Sequence, residues 1–140
     1  MRFPIRGFVK IFSDGKLISS GKNTVVTSGL ELLAQRIYGT EDIELPNQIR
    51  FGDDGRPTTV DMTDLQGTTK ATAPATVSLS GRVLTWQADF TYTGGTSFNF
   101  RELGLFNDSD VMLCRFLTAV LTTLTYGAHI QVLWEITLGD

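Results

Sequence analysis

The stretch from Phe98 to Asp140 leaves this chain little choice of fold. From His129 to Leu138, Ile130, Val132, Trp134, Ile136 and Leu138 recur at every second position, the pattern of a strand with one face in a core. Upstream, Phe98, Phe100, Gly104 and Phe106 read to one side of a strand and Asn99, Arg101, Leu103 and Leu105 to the other. Apolar side chains on both faces belong to a central strand. Glu102 falls on the aromatic face and Arg101 opposite it, two charges that need partners in such a place. Gly104 breaks the side-chain row, as happens where a strand bends or another backbone comes close. Between these strands, Val111 to Thr122 alternates again, with Met112, Cys114, Phe116, Thr118 and Val120 on one face. A domain closing on its most regular strand is expected to be finished at Asp140.

The earlier chain repeats the theme with one interruption. Phe3 to Phe12 and Lys16 to Ser20 flank Asp14-Gly15, a hairpin signal, and Thr24 to Val26 is a β-branched bridge after the turn Gly21–Asn23. Then the period changes. Ser28-Gly29-Leu30-Glu31 has the form of a capping box, and Leu30, Leu33, Ala34 and Ile37 follow as an apolar stripe. Gly39 stands where a left-handed residue ends a helix, so the spacing predicts a helix over about 28–38. Gln48 to Phe51 is a short strand, and Gly52–Gly55 a turn. Arg56 to Thr69 is irregular, with Asp61–Leu65 as a single capped helical turn. Ala75 to Ser80 and Arg82 to Tyr92 are further strands, the second with Leu84, Trp86, Ala88, Phe90 and Tyr92 on one face. The whole reads as a mainly β chain: an antiparallel β-sandwich of about eight strands with a single helix against one edge or end.

Composition limits the function. A chain of 140 residues fits one domain with a single core. Its net charge of -3 draws no nucleic acid over distance, and no apolar run reaches membrane-spanning length. Met1 to Gly7 is no secretory signal, so synthesis is expected in the cytoplasm. Cys114, the single cysteine, excludes an internal disulfide and reads as a buried thiol. Charged residues make up only 19%, which favours burial of some faces against other copies.

Few residues point to chemistry. Asp53, Asp54, Asp61 and Asp64 could be read as calcium ligands, but they lack EF-hand spacing, and Asx-turns with a helix cap account for them. Arg101 and Glu102 are neighbours on a strand and point apart, so they form no catalytic pair; Arg115 or Glu135 is the expected opposite charge. His129, the only histidine, has no acidic or nucleophilic motif nearby in sequence, so neither a triad nor a histidine-ligated metal is expected. Trp86 and Trp134 are read as core, with carbohydrate stacking as the functional alternative. No cofactor and no metal are expected.

The order of the pieces has a parallel. Val26-Thr27-Ser28-Gly29-Leu30-Glu31-Leu32-Leu33-Ala34 is followed by Phe51-Gly52-Asp53-Asp54-Gly55 and Asp61-Met62-Thr63-Asp64-Leu65. Arg101-Glu102-Leu103-Gly104-Leu105-Phe106 and Trp134-Glu135-Ile136 come after. This succession, from about Thr24 to Asp140, resembles the N-terminal attachment domains of tail and collar fibres of tailed bacteriophages. A fibre continues past such a domain into a shaft, whereas this sequence stops, so the resemblance implies a virion component of the neck, tail or baseplate rather than a whole fibre. It implies a non-enzymatic part, with other phage structural proteins as partners. A glycan- or receptor-binding module or a capsid decoration protein is the alternative.

Self-association is expected to use the chain's extremities and loops. Residues 1–8, carrying Phe3, Ile5 and Phe8, read as an apolar N-terminal arm, and residues 40–69 as a long loop region. Asp53, Asp54, Arg101 and Glu102 complete the interface candidates.

Overall fold

The computed structural model describes residues 4–39 and 42–139. The hairpin formed by β1 (Ile5–Ser13) and β2 (Lys16–Lys22) leads through the two-residue β3 (Thr24–Val25) into α1 (Thr27–Tyr38). Then come β4 (Gln48–Gly52), β5 (Thr69–Pro74), β6 (Thr76–Ser80), β7 (Val83–Thr91), β8 (Phe98–Phe106), β9 (Met112–Leu124) and β10 (His129–Leu138). They form two antiparallel five-stranded sheets, ordered β2-β1-β10-β7-β6 and β3-β9-β8-β4-β5. The mainly β sandwich is the expected fold, with ten strands in place of about eight. Among the described residues no helix is long and apolar enough to cross a membrane.

Both sheets turn one face inward onto a shared core. From the first sheet come Val9, Ile11, Trp86, Ala88, Ile130, Val132, Trp134 and Ile136; from the second, Ile49, Phe51, Phe100, Leu103, Leu105 and Phe116. Trp86 and Trp134 are fully buried register partners, so both are core residues as expected and neither offers a ring to a sugar. The Trp86 indole N–H donates to the Pro46 carbonyl at 2.8 Å. Phe51 meets Phe100 edge-on, centroids 5.2 Å apart. Cys114 is buried here, and burial pushes its thiol well above the ordinary range, with the Trp134 indole pulling the other way. Turn chemistry sets the register of the first hairpin: Asp14 and Gly15 both take positive φ, the geometry of a type I′ turn.

Several expectations need correction. The alternation through β8 is broken at Arg101, where the β8–β9 register shifts. Phe100 therefore shares the inward face with Leu103 and Leu105, while Glu102 and Phe106 turn to the other side of the sheet. Glu102 does not share a face with Phe100. The sequence gives no signal for β5, because Lys70, Ala71 and Pro74 carry little strand character, yet it pairs with β4 along the sheet edge. Asp61–Leu65 forms no helix: a single turn closes at its start, Met62 N–H on the Thr59 carbonyl, the chain bends at Asp64, and the Asp64 carboxylate accepts the Leu65 N–H.

The helix exists and ends at Gly39 in the left-handed conformation, whose N–H reaches the carbonyls of Arg36 and Gln35. Its start differs. Val26 is the N-cap with no side-chain cap, and the Ser28 hydroxyl donates instead to the Met112 carbonyl at 2.9 Å. No capping box forms. Only part of the predicted stripe turns inward: Leu33 packs against the core, Leu30, Ala34 and Ile37 are exposed, and the fully buried positions are Gly29 and Leu32. The reason is close packing. A Cβ on Gly29 would sit 2.1 Å from the Leu113 carbonyl oxygen, so only glycine lets the helix lie on β9.

Residues 1–8 are not a free arm over their described part. Ile5 to Phe8 form the start of β1, paired with β10 from Ile5↔Leu138 to Phe8↔Glu135. Phe3 lies outside the described residues.

Candidate functional site

The outer face of the second sheet carries a dense polar arrangement, built on the second half of the central strand β8. Glu102 and Arg115 project from neighbouring strands, and both side chains are fully buried. Arg115 Nε donates to Glu102 Oε1 at 3.0 Å, the opposite charge expected for this strand. Two buried charges need more than each other, because each keeps unsatisfied lone pairs or protons. The loop from Asp53 to Thr68 supplies them.

Glu102 accepts backbone N–H groups from both ends of that loop. Asp54 donates to Oε2 at 3.0 Å, Gly67 to Oε2 at 2.8 Å and Gln66 to Oε1 at 2.8 Å. Arg115 binds the middle: Nη1 donates to the Arg56 carbonyl at 2.8 Å and the Thr58 hydroxyl at 2.7 Å, and Nη2 to the Asp54 carbonyl at 3.2 Å. Glycine makes room for this. Gly52 pairs with Glu102 across β4–β8, and a Cβ there would lie 2.6 Å from Glu102 Oε2. At Gly67 it would lie 2.1 Å from Asp53 Oδ1. Below the loop, Leu65, Val26, Phe106 and Met112 form a small second core.

The four aspartates of this region are each spent on a neighbour. Asp53 accepts the Thr68 N–H at 2.9 Å and lies 3.6 Å from Lys70 Nζ. Asp54 accepts both the backbone N–H and the guanidinium of Arg56, and that hydrogen bond holds its carboxyl below the usual carboxylate range. Asp61 accepts the Thr59 hydroxyl, and Asp64 the Leu65 amide. Among the described residues no three metal-ligating side chains converge. Only Asp54, which accepts the N–H two residues on, makes the expected Asx-turn, and no helix is capped at Asp61 or Asp64.

Of the interface candidates, the structure gathers Asp53, Asp54, Arg101 and Glu102 around this loop and leaves Ile5 and Phe8 apart. Glu102 is interior and holds the loop. Arg101 backs Gly55, and its Nε is buried without a hydrogen-bond partner. Ile5 and Phe8 belong to the other sheet, Phe8 being 41% exposed. The contribution of Thr58, Gln66 and Gly67 was not read from sequence; the only local signal was the recurrence of glycine among the aspartates. His129 also has a partner that sequence proximity hid: the β7–β10 register carries Asp89 to its imidazole on the half-exposed outer face of the first sheet. No protein-family model matches the chain, and neither a curated protein nor a solved structure matches it.

Proposed function

We propose that this chain is a non-enzymatic structural component of a tailed-phage particle, at the neck or collar, the tail or baseplate, or a fibre attachment point. It acts by self-association and by docking to other virion proteins, after synthesis in the host cytoplasm. One observation carries the reading. Four of the segments behind the phage resemblance are distant in sequence, yet the Asp53–Gly55 turn, Asp61–Leu65, the Arg101–Phe106 strand and Val26 at the start of α1 meet on one face of the second sheet, while Trp134–Ile136 lies in the first. The charge pair spends its hydrogen bonds on holding a loop in shape. A loop ordered in advance loses little conformational entropy on docking, which suits a permanent joint.

The test is incorporation. A tagged chain, expressed in cells producing the phage that encodes it, should band with intact particles on a density gradient and resist a high-salt wash. Particles that form normally and carry no detectable tag would overturn the assignment. So would turnover of peptidoglycan, polysaccharide or nucleic acid that disappears in His129→Ala.

A further inference from the structure

We infer that β6 is a seam through which two copies of this chain join their first sheets edge to edge. This rests on the self-association reading above and names its surface and its partner, a second copy.

The argument starts from the edges. A strand at a sheet edge offers unpaired N–H and C=O groups, and natural sheets guard it with bulges, lysine, proline or short length. Three of the four edges here are guarded. The β2 edge carries Lys16 and Lys22 and a bulge where the register skips Ile18. The β5 edge carries Lys70 and Pro74, with Lys70 bulged out. On the fourth side of the second sheet, β3 covers only Cys114 and Arg115 of β9, and the rest of that edge is broken by the unpaired excursion Thr118–Leu121.

The β6 edge is short, at five residues, but carries no bulge, no lysine and no proline. Its residues, Thr76-Val77-Ser78-Leu79-Ser80, hold no charge and no proline, and all are exposed. Its register with β7 runs without a break from Thr76↔Gln87 to Ser80↔Val83. The two-residue turn Gly81-Arg82 closes on the Ser80–Val83 pair, which in such hairpins exchanges both hydrogen bonds. Pairs alternate, so Thr76, Ser78 and Ser80 bond β7, and the N–H and C=O of Val77 and Leu79 point away from the sheet.

That outward edge is complementary to itself. Antiparallel pairing about a two-fold axis through Ser78 sets Val77 of one copy opposite Leu79 of the other, twice, and both pairs exchange backbone hydrogen bonds. Their side chains share the face of their β7 partners Trp86 and Leu84, so the pairing extends the inward apolar row past the sheet edge. In this arrangement Val77 and Leu79, 39% and 69% exposed, become covered. No like charges meet, because the strand has none, and the contact is isologous and closes as a dimer. Five residues of edge bury less than the about 1,200 Å² of a standard stable interface, so the dimer is concentration-dependent. Clustering on a particle would raise the effective concentration.

Sedimentation of the full chain across a concentration series tests this. The chain should pass from one to two copies, and Leu79→Lys should abolish the doubled mass without moving the thermal midpoint. Ser20→Lys, on the guarded β2 edge, should leave it intact. Ser78→Cys should cross-link into a covalent dimer under mild oxidation, since each copy meets its twin on the axis. Association unaffected by Leu79→Lys, or a Ser78→Cys protein that yields no dimer, would sink the seam while leaving self-association standing. A wild-type chain that stays monomeric at every soluble concentration would remove both.

Discussion

Glu102→Gln is a small change with a large expected cost. It removes one charge from a fully buried pair and exchanges an acceptor oxygen for an NH2 group. Neither orientation of the new amide is tolerable. Toward Asp54 and Gly67 the NH2 would face two N–H donors; toward Gln66 and Arg115 it would face an N–H and a guanidinium. Arg115 is left as a buried cation without its carboxylate, a loss of about 3–5 kcal/mol when one partner of a buried pair is removed. In a domain of this size each kcal/mol moves the thermal midpoint by roughly 3–5 °C, so a fall of about 10–20 °C is expected. Two assays separate global from local loss. Thermal melting reads the first, and hydrogen exchange at the amides of Asp54, Gln66 and Gly67 reads the second. A double variant, Glu102→Met with Arg115→Met, should not recover the loss, because the loop N–H and carbonyl groups that the pair satisfies are then left without partners. A Glu102→Gln protein with an unmoved midpoint and those three amides still protected would refute the clamp.

The docking of the helix makes a second prediction. Gly29→Ala should cost about 1–3 kcal/mol by forcing α1 off the Leu113 carbonyl, whereas Glu31→Ala should stay within about 0.5 kcal/mol, since no capping box exists; equal effects in urea melts would contradict the packing. The third concerns pH. Because Arg56 depresses the Asp54 carboxyl in the folded state, its contribution is present above the ordinary aspartate range near about 4 and is lost as pH falls through the depressed folded value. Asp54→Asn should therefore flatten the acid limb of a plot of urea midpoint against pH, and an unchanged limb would show that the ion pair does not form in solution.

Much of the fold was legible because it depends on neighbours in sequence. The period of two in His129–Leu138, the Asp14-Gly15 turn and the glycine that stops the helix each act over a few residues, and each appears where the sequence puts it. The buried tryptophans follow from the same periodicity. The opposite charge of Glu102 was legible too, because a central strand cannot hold an unpaired carboxylate. What the chain's own order could not decide were the features that depend on contact between distant segments. A register shift at Arg101 reversed which side of β8 carries Phe100 relative to Glu102, and in a strand one skipped residue inverts every side chain beyond it. The helix is apolar around much of its circumference, so which leucine is buried was settled by the close approach of Gly29 to β9 rather than by spacing. The loop after Gly52 looked unstructured because its hydrogen-bond partners lie on β8 and β9, dozens of residues away, and only the folded sheets bring Glu102 and Arg115 beneath it.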